Sequence, residues 1–150
     1  MEAIKHKIAP AHDGIRKLKE TVGNNNRRAK GIQAITWLVE ELDKLKDTEF
    51  AVQCGIVYGA FARGSKMYQQ MDFLLILEEN TDEELAMNFF IDNIISKIYM
   101  EVKILPYLDI INPKTLRLSL DHPTPLIQRI QAEGIVFYGV NVLKQEAENV

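Results

Sequence analysis

The sequence contains a single cysteine, Cys54, so the chain cannot form an internal disulfide. It also lacks any stretch approaching the roughly 18 consecutive apolar residues of a transmembrane helix, and its N-terminus lacks the apolar stretch of a signal peptide. These absences predict a cytoplasmic protein with no membrane partner. Because Cys54 stands in an apolar run, we expect its thiol to be buried and inert.

The chain also has no excess of positively charged residues. Lys and Arg number 18 against 21 Asp and Glu, giving a net charge of −3. This balance argues against nonspecific nucleic-acid binding by the whole surface, which needs many cationic contacts to phosphates. Basic residues do cluster in two places, where a solvated helical face is favoured over a nucleic-acid patch: Lys5, Lys7, Arg16, Lys17 and Lys19, and then Arg27, Arg28 and Lys30.

Several common site motifs are absent. The three histidines, His6, His12 and His122, are too far apart for a metal-binding pair such as one at i and i+4. There is no nucleophile elbow, no phosphate-binding loop ending in Gly-Lys-Ser/Thr, and no dinucleotide fingerprint. Chemistry based on these motifs is therefore excluded.

The composition, 47% hydrophobic and 26% charged over 150 residues, is that of one soluble globular domain. Apolar residues from Ile4 to Val22 recur at helical spacing, with Pro10 and Gly14 predicting a break or kink near the start. A second amphipathic helix is predicted from about Arg28 to Leu45.

Strand-like and helix-like runs then alternate. Apolar runs predict strands at 51–58, 72–77, 101–107 and 135–138. A helix capped by Thr81 should follow the second strand, and a helix over 123–133 should end at Gly134. This order predicts an α/β (α+β) domain with a small mixed sheet covered by helices, over residues 31–142. Residues 1–30 would form an N-terminal helical extension, and 143–150 a polar tail.

Residues 55–79, GIVYGAFARGSKMYQQMDFLLILEE, join an apolar strand, a glycine turn, a polar loop and a strand opening on Asp72. This layout resembles the signature of the nucleotidyltransferase superfamily, in its minimal, DNA polymerase beta-like form. The preceding LVEELDKLKD and the C-terminal TPLIQRIQAEGIVFYG are similar to flanking elements of that family. The resemblance covers roughly residues 35–140 and implies a nucleotidyltransferase-like fold.

The resemblance implies transfer of a nucleoside monophosphate from ATP or another nucleoside triphosphate to an acceptor hydroxyl, with release of pyrophosphate and with Mg²⁺ as cofactor. Two divalent ions clamp the reacting oxygens in such sites. Residues i and i+2 of a strand share a face, so an Asp-x-Asp pair can hold the metals. By resemblance, the catalytic and metal-binding residues would be Asp72 and Glu101, and the nucleotide-binding residues Gly59, Ala60, Arg63, Gly64, Ser65 and Lys66.

The motif departs from the family pattern at two points. The usual Gly-Ser is Gly59-Ala60, although Ser65 on the same turn is a candidate replacement, and one carboxylate, Asp72, stands where two are expected. In one register Gln70 takes the first carboxylate position, and in the other Leu74 takes the second. Glu101 is the candidate third carboxylate, with an ordinary exposed residue as the alternative.

Two functional hypotheses follow. The first is a nucleotidyltransferase with weakened or lost activity toward an unknown acceptor. The second is a catalytically inactive pseudoenzyme that serves as a binding or regulatory partner, for example in a toxin–antitoxin pair. In the second case the N-terminal helices would be a docking arm or would form a homodimer.

Overall fold

The computed structural model describes residues 11–143 and has a mixed α+β architecture, which confirms the predicted fold class. Its four-stranded sheet has the order β3-β2-β1-β4. The strands are β1 (Val52–Tyr58), β2 (Gln70–Leu77), β3 (Leu105–Ile111) and β4 (Ile135–Gly139). β1 runs antiparallel to β2 and β4, whereas β2 and β3 are parallel.

Helices cover both faces of this sheet. They are α1 (Ala11–Glu20), α2 (Asn26–Lys44), α3 (Gly59–Ala62), α4 (Glu83–Phe90), α5 (Ser96–Val102), α6 (Pro113–Asp121) and α7 (Pro125–Glu133). A π-helical segment, Ile91–Ile95, joins α4 to α5. Within residues 11–143, no helix combines the length and the apolar character that a membrane crossing requires.

Alternate residues of β2 enter two separate cores. Phe73 and Leu75 pack on one face with α2, α4 and α5, which we call the α2 face. Leu74 and Ile76 pack on the other with α6 and α7, which we call the α7 face. A strand buried on both faces has no polar alternation, so β2 appears in the sequence as a continuous apolar run.

Helix α1 packs tightly on the edge strand β4. The predicted break at Gly14 is wrong, because the helix continues through this residue. A Cβ at position 14 would overlap the carbonyl oxygen of Val136, so glycine permits close approach of helix and strand. The part of the predicted helix that precedes Ala11, including Pro10, lies outside the described part of the chain.

Two predicted helix starts shift. Asp82, not Thr81, caps α4, since its Oδ1 accepts hydrogen bonds from the backbone N–H groups of Glu84 (2.9 Å) and Leu85 (3.0 Å). Helix α7 begins at the second proline, Pro125, where the hydroxyl oxygen of Thr124 accepts from the Ile127 N–H at 3.2 Å.

The predicted strand over 101–107 is wrong at its start. Val102 continues the buried helical stripe of Ile94 and Ile98 at four-residue spacing, so the chain stays helical to that point. Lys103, with φ of 61°, ends the helix in the left-handed region, and β3 begins only at Leu105. Glu101 is consequently an exposed residue in the last turn of α5.

Leu143 is the one residue of the predicted polar tail that the structure describes. Leu143 is 2% exposed and packs on the α7 face, where it extends the core beyond β4. Residues 144–150 lie outside the described part of the chain. The core on the α7 face therefore extends to Leu143.

Candidate functional site

The glycine turn lies where β1 ends. Gly59 is buried and has φ of +78°, a conformation that disfavours any side chain. A Cβ at this position would overlap Oδ2 of Asp72. Both the backbone angle and the neighbouring carboxylate therefore require glycine, and Asp72 lies directly against the turn.

Asp72 is partly buried and its side chain belongs to the α7 face, two residues before Leu74. Gln70, two residues earlier on the same strand, donates a hydrogen bond from Nε2 to Oδ1 of Asp72 at 2.6 Å. Because residues i and i+2 share a face, Gln70 occupies the position of a paired carboxylate. It contacts Asp72 as an amide donor and adds no charge.

A second carboxylate, Asp109, comes from the adjacent strand β3 and was missed by the sequence analysis. The parallel register pairs Asp72 with Tyr107 and Leu74 with Asp109, so the two aspartates are diagonal neighbours on one face. The signal that could have located Asp109 is the alternation of buried and more exposed positions along β3. Pro106, Leu108 and Ile110 are buried, and the residues between them are not. The misplaced strand start concealed this pattern.

Tyr58 is the strand partner of Asp72 and also contacts Asp109. Its hydroxyl donates a hydrogen bond to Oδ2 of Asp109 at 3.0 Å. Burial raises the pKa of Tyr58 above its ordinary value, and the negative charge of Asp109, its hydrogen bond, the charge of Asp72 and Tyr107 raise it further. Tyr58 is thus held as a neutral phenol that can donate to a carboxylate.

The pair Asp72 and Asp109 offers oxygen donors suited to Mg²⁺, which proteins commonly bind with one or two carboxylates plus substrate phosphates. Between residues 11 and 143 no three His, Cys, Asp or Glu side chains form a group that could hold a metal ion. If a magnesium ion entered with a phosphate chain, Asp72 and Asp109 would be the residues to hold it.

Glu101 does not join this pair. Its helix α5 packs through Ile98 and Val102 on the α2 face, whereas Asp72 and Asp109 lie on the α7 face. The expectation that Glu101 opens the neighbouring strand was the basis for its role as metal ligand. Asp109, within β3, is the carboxylate that the neighbouring strand brings to the face of Asp72.

Arg63 and Gly59 share one partner, Glu133, at the end of α7. Oε1 of Glu133 accepts hydrogen bonds from the Gly59 backbone N–H at 2.9 Å and from Arg63 Nη1 at 3.1 Å. Oε2 accepts from Arg63 Nη1 at 2.9 Å. The Glu133 side chain is 17% exposed. Two of the groups predicted to contact phosphate are therefore engaged by the protein's own carboxylate.

The other predicted nucleotide-binding residues do not share this partner and lie in different surroundings. The hydroxyl oxygen of Ser65 accepts from the Met67 N–H at 3.2 Å, and its backbone N–H donates to the Ala60 carbonyl at 3.0 Å. Gly64 has φ of +91° and lines a cavity of about 380 Å³ with Arg63. Lys66 lines a different, open cavity with the loop over residues 20–25.

The side chain of Arg28 is buried and donates hydrogen bonds to the glycine turn. It is 0% exposed, so its placement in an exposed basic cluster is wrong. Nη1 donates to the carbonyl oxygens of Phe61 (2.7 Å) and Ser65 (3.0 Å), and the guanidinium carbon lies 3.9 Å from the Phe61 ring centre. Burial lowers the pKa of Arg28. This residue fixes the far end of the glycine turn.

Cys54 has no part in the site. It is fully buried on the α7 face, and burial raises the pKa of its thiol to about 12. A thiol that stays protonated is a poor nucleophile and metal ligand. The predicted burial of Cys54 is confirmed.

No family model, curated protein or solved structure matches this chain. The nucleotidyltransferase resemblance consequently remains an inference from residues and their order. Asp72 lies against Gly59 at the end of β1, and Asp109 follows on the same face of the adjacent strand.

Proposed function

We propose that this protein binds a magnesium–nucleoside triphosphate at Asp72 and Asp109 and acts as a nucleotidyltransferase of weakened activity. The observation that carries the proposal is that these two carboxylates share one face on adjacent strands, beside a glycine turn. Asp72 lies against Gly59, and Asp109 accepts a hydrogen bond from Tyr58 at the end of β1. Two carboxylates and an open phosphate chain together suit Mg²⁺.

The chemistry needs charge stabilisation. The metal would neutralise charge on the phosphate oxygens and polarise the phosphoryl group under attack. The protein's own part is to hold the phosphate chain in line with an acceptor hydroxyl and to limit its motion. Gln70 contributes no charge at the position of a second aspartate, which supports a rate well below that of a three-carboxylate site.

Isothermal titration with Mg-ATP, and then with the other nucleoside triphosphates, tests binding. We expect Asp72→Asn and Asp109→Asn each to weaken Mg-dependent binding by about tenfold or more, since each removes a charged ligand. Glu101→Gln is the matched control, because Glu101 was the sequence-based candidate but lies on the other side of the sheet. It should bind as the unchanged protein does.

Transfer is measured separately with triphosphate labelled at the α-phosphate. Incorporation of label into the protein itself, an added nucleic acid or a small hydroxyl compound would identify the acceptor class. The proposal fails if Mg-ATP does not bind, or if Asp109→Asn binds as tightly as the unchanged protein while Glu101→Gln does not.

A second candidate function is that of a catalytically inactive binding partner. The hydrogen bond from Gln70 to Oδ1 of Asp72 favours it, because this amide occupies a lone pair that a metal would need. Gln70→Glu separates the two candidates. Tighter Mg-ATP binding by Gln70→Glu than by the unchanged protein would support a weakened enzyme. Absence of nucleotide binding in both the unchanged protein and Gln70→Glu would support the inactive partner.

Deletion of residues 1–30 is not a clean test of a docking arm. It would remove α1, whose Leu18 is buried in the α2-face core, and Arg28, which holds the glycine turn. Loss of partner binding would then follow from damage to the fold. Oligomeric state is better measured on the full chain by light scattering.

A further inference from the structure

The carboxylate of Glu133 has an unusual position for a helix residue. It is the last residue of α7, where the partial negative charge of the helix end opposes another negative charge. The hydrogen bonds from Gly59 N–H and Arg63 offset this repulsion. Its position is therefore set by the glycine turn rather than by its own helix.

The groups that bind Glu133 are those that bind an oxyanion in general. A backbone N–H and a guanidinium both donate to negatively charged oxygens, and such charge-assisted bonds are stronger than neutral ones. Glu133 satisfies both donors with two oxygens. The Glu133 carboxylate, which belongs to the chain itself, thus occupies donors that an external anionic ligand could otherwise use.

Space for an external anion lies next to this contact. A cavity of about 380 Å³ separates α1 from the glycine turn, and its lining includes Lys17, Thr21, Arg63, Gly64 and Glu133. Lys17 and Arg63 bring two positive charges to the cavity, and Glu133 is the carboxylate in its lining. Rotation of the Glu133 side chain away from Arg63 would leave a site of net positive charge.

We propose that Glu133 competes intramolecularly with a phosphate group for Gly59 N–H and Arg63, and so lowers the affinity of the chain for phosphate-bearing ligands. The inference rests on the proposed function, since the phosphate would belong to the bound nucleotide. A ligand that needs a minor conformation binds more weakly by the fraction of molecules in that conformation. Removal of the Glu133 charge should recover that loss.

The test is isothermal titration of the full chain with inorganic tripolyphosphate in the absence of divalent metal. Glu133→Gln and Glu133→Ala should each bind tripolyphosphate about tenfold more tightly than the unchanged protein, because the internal charge-assisted bonds no longer have to be broken. Arg63→Gln introduced into Glu133→Gln should cancel most of that gain. Glu79→Gln is the matched control, as it breaks an ion pair with Arg117 elsewhere on the surface.

Two results would overturn the inference: unchanged affinity in both Glu133 variants, or equal tightening in Glu79→Gln. Unchanged affinity together with a lower unfolding temperature would mean that the contact only stabilises the fold. Because this titration contains no metal, it fails or succeeds independently of the Mg-ATP titrations with the Asp72 and Asp109 variants, which test the proposed function.

Discussion

At the scale of single residues, the positions that decide the site are those where two constraints meet. Gly59 must adopt a positive φ and must also leave room for Asp72. The sequence motif identifies this glycine, but the second constraint comes from another strand. Gly64 has the same backbone requirement without a neighbour, so the two glycines form a natural comparison.

Gly64→Ala should lower the free energy of unfolding by about 1–2 kcal/mol, the cost of a left-handed conformation with a side chain. Gly59→Ala should cost about 1–3 kcal/mol more, because the new methyl group overlaps Asp72 Oδ2. Urea unfolding measures both. Equal losses would contradict the close contact between Gly59 and Asp72.

Tyr58 predicts a dependence of stability on alkaline pH. Its pKa in the folded protein is raised above the unfolded value of about 10. The neutral phenol is thus favoured by folding, so its contribution is fully present below pH ~10 and is lost as pH rises toward the folded pKa.

Tyr58→Phe should destabilise the protein by about 1 kcal/mol at pH 8, through loss of the hydrogen bond to Asp109. The difference from the unchanged protein should shrink at pH 11, because phenylalanine does not ionise. Urea unfolding at the two pH values measures this. Tyr99→Phe, at an exposed tyrosine, is the control. A difference that stays constant with pH would contradict the burial of the Tyr58 hydroxyl.

At the scale of secondary structure elements, local patterns predicted most of what was found. The runs that became β1, β2 and β4 were identified because strands buried on both faces are continuously apolar. The boundary between α5 and β3 was missed, since Val102 is apolar and satisfies either pattern. Because the predicted strand began at residue 101, Glu101 was chosen as the carboxylate of the neighbouring strand, and Asp109 was not considered.

Helix capping supplies a test at this scale. Asp82→Ala should cost about 1 kcal/mol, because two backbone N–H groups of α4 lose their acceptor. Thr81→Ala should change the free energy of unfolding by less than about 0.5 kcal/mol. Thermal unfolding of both variants distinguishes them. A larger effect at Thr81 would restore the sequence-based assignment of the cap.

At the scale of the whole molecule, one buried cation joins three segments. Arg28 begins on α2, donates to two carbonyl oxygens of the glycine turn, and donates through Nη2 to the hydroxyl oxygen of Thr21 after α1. The guanidinium of Arg28 is surrounded by aromatic rings instead of a carboxylate, and the Phe61 ring lies against it. The turn is thereby fixed to both N-terminal helices.

Arg28→Ala should lower the free energy of unfolding by at least about 3 kcal/mol, since hydrogen bonds from a charged donor contribute about 1.5–3 kcal/mol each. Lys30→Ala, at an exposed position of the same helix, should change it by less than about 0.5 kcal/mol. Denaturant unfolding compares the two. Similar small effects would mean that Arg28 is solvated, as the charge pattern first indicated.

The sequence by itself determined the α+β class, the order of elements, the burial of Cys54 and the glycine turn followed by Asp72. These depend on local periodicity and on residues close together in the chain. Tertiary structure alone decided that Asp109 and not Glu101 shares a face of the sheet with Asp72, that Arg28 is buried, and that Glu133 binds Gly59 and Arg63. The hydrogen bonds of Arg28 to Phe61 and Ser65, and those of Glu133 to Gly59 and Arg63, join residues more than 30 positions apart. Strand register and helix packing, which local patterns do not encode, bring such residues together.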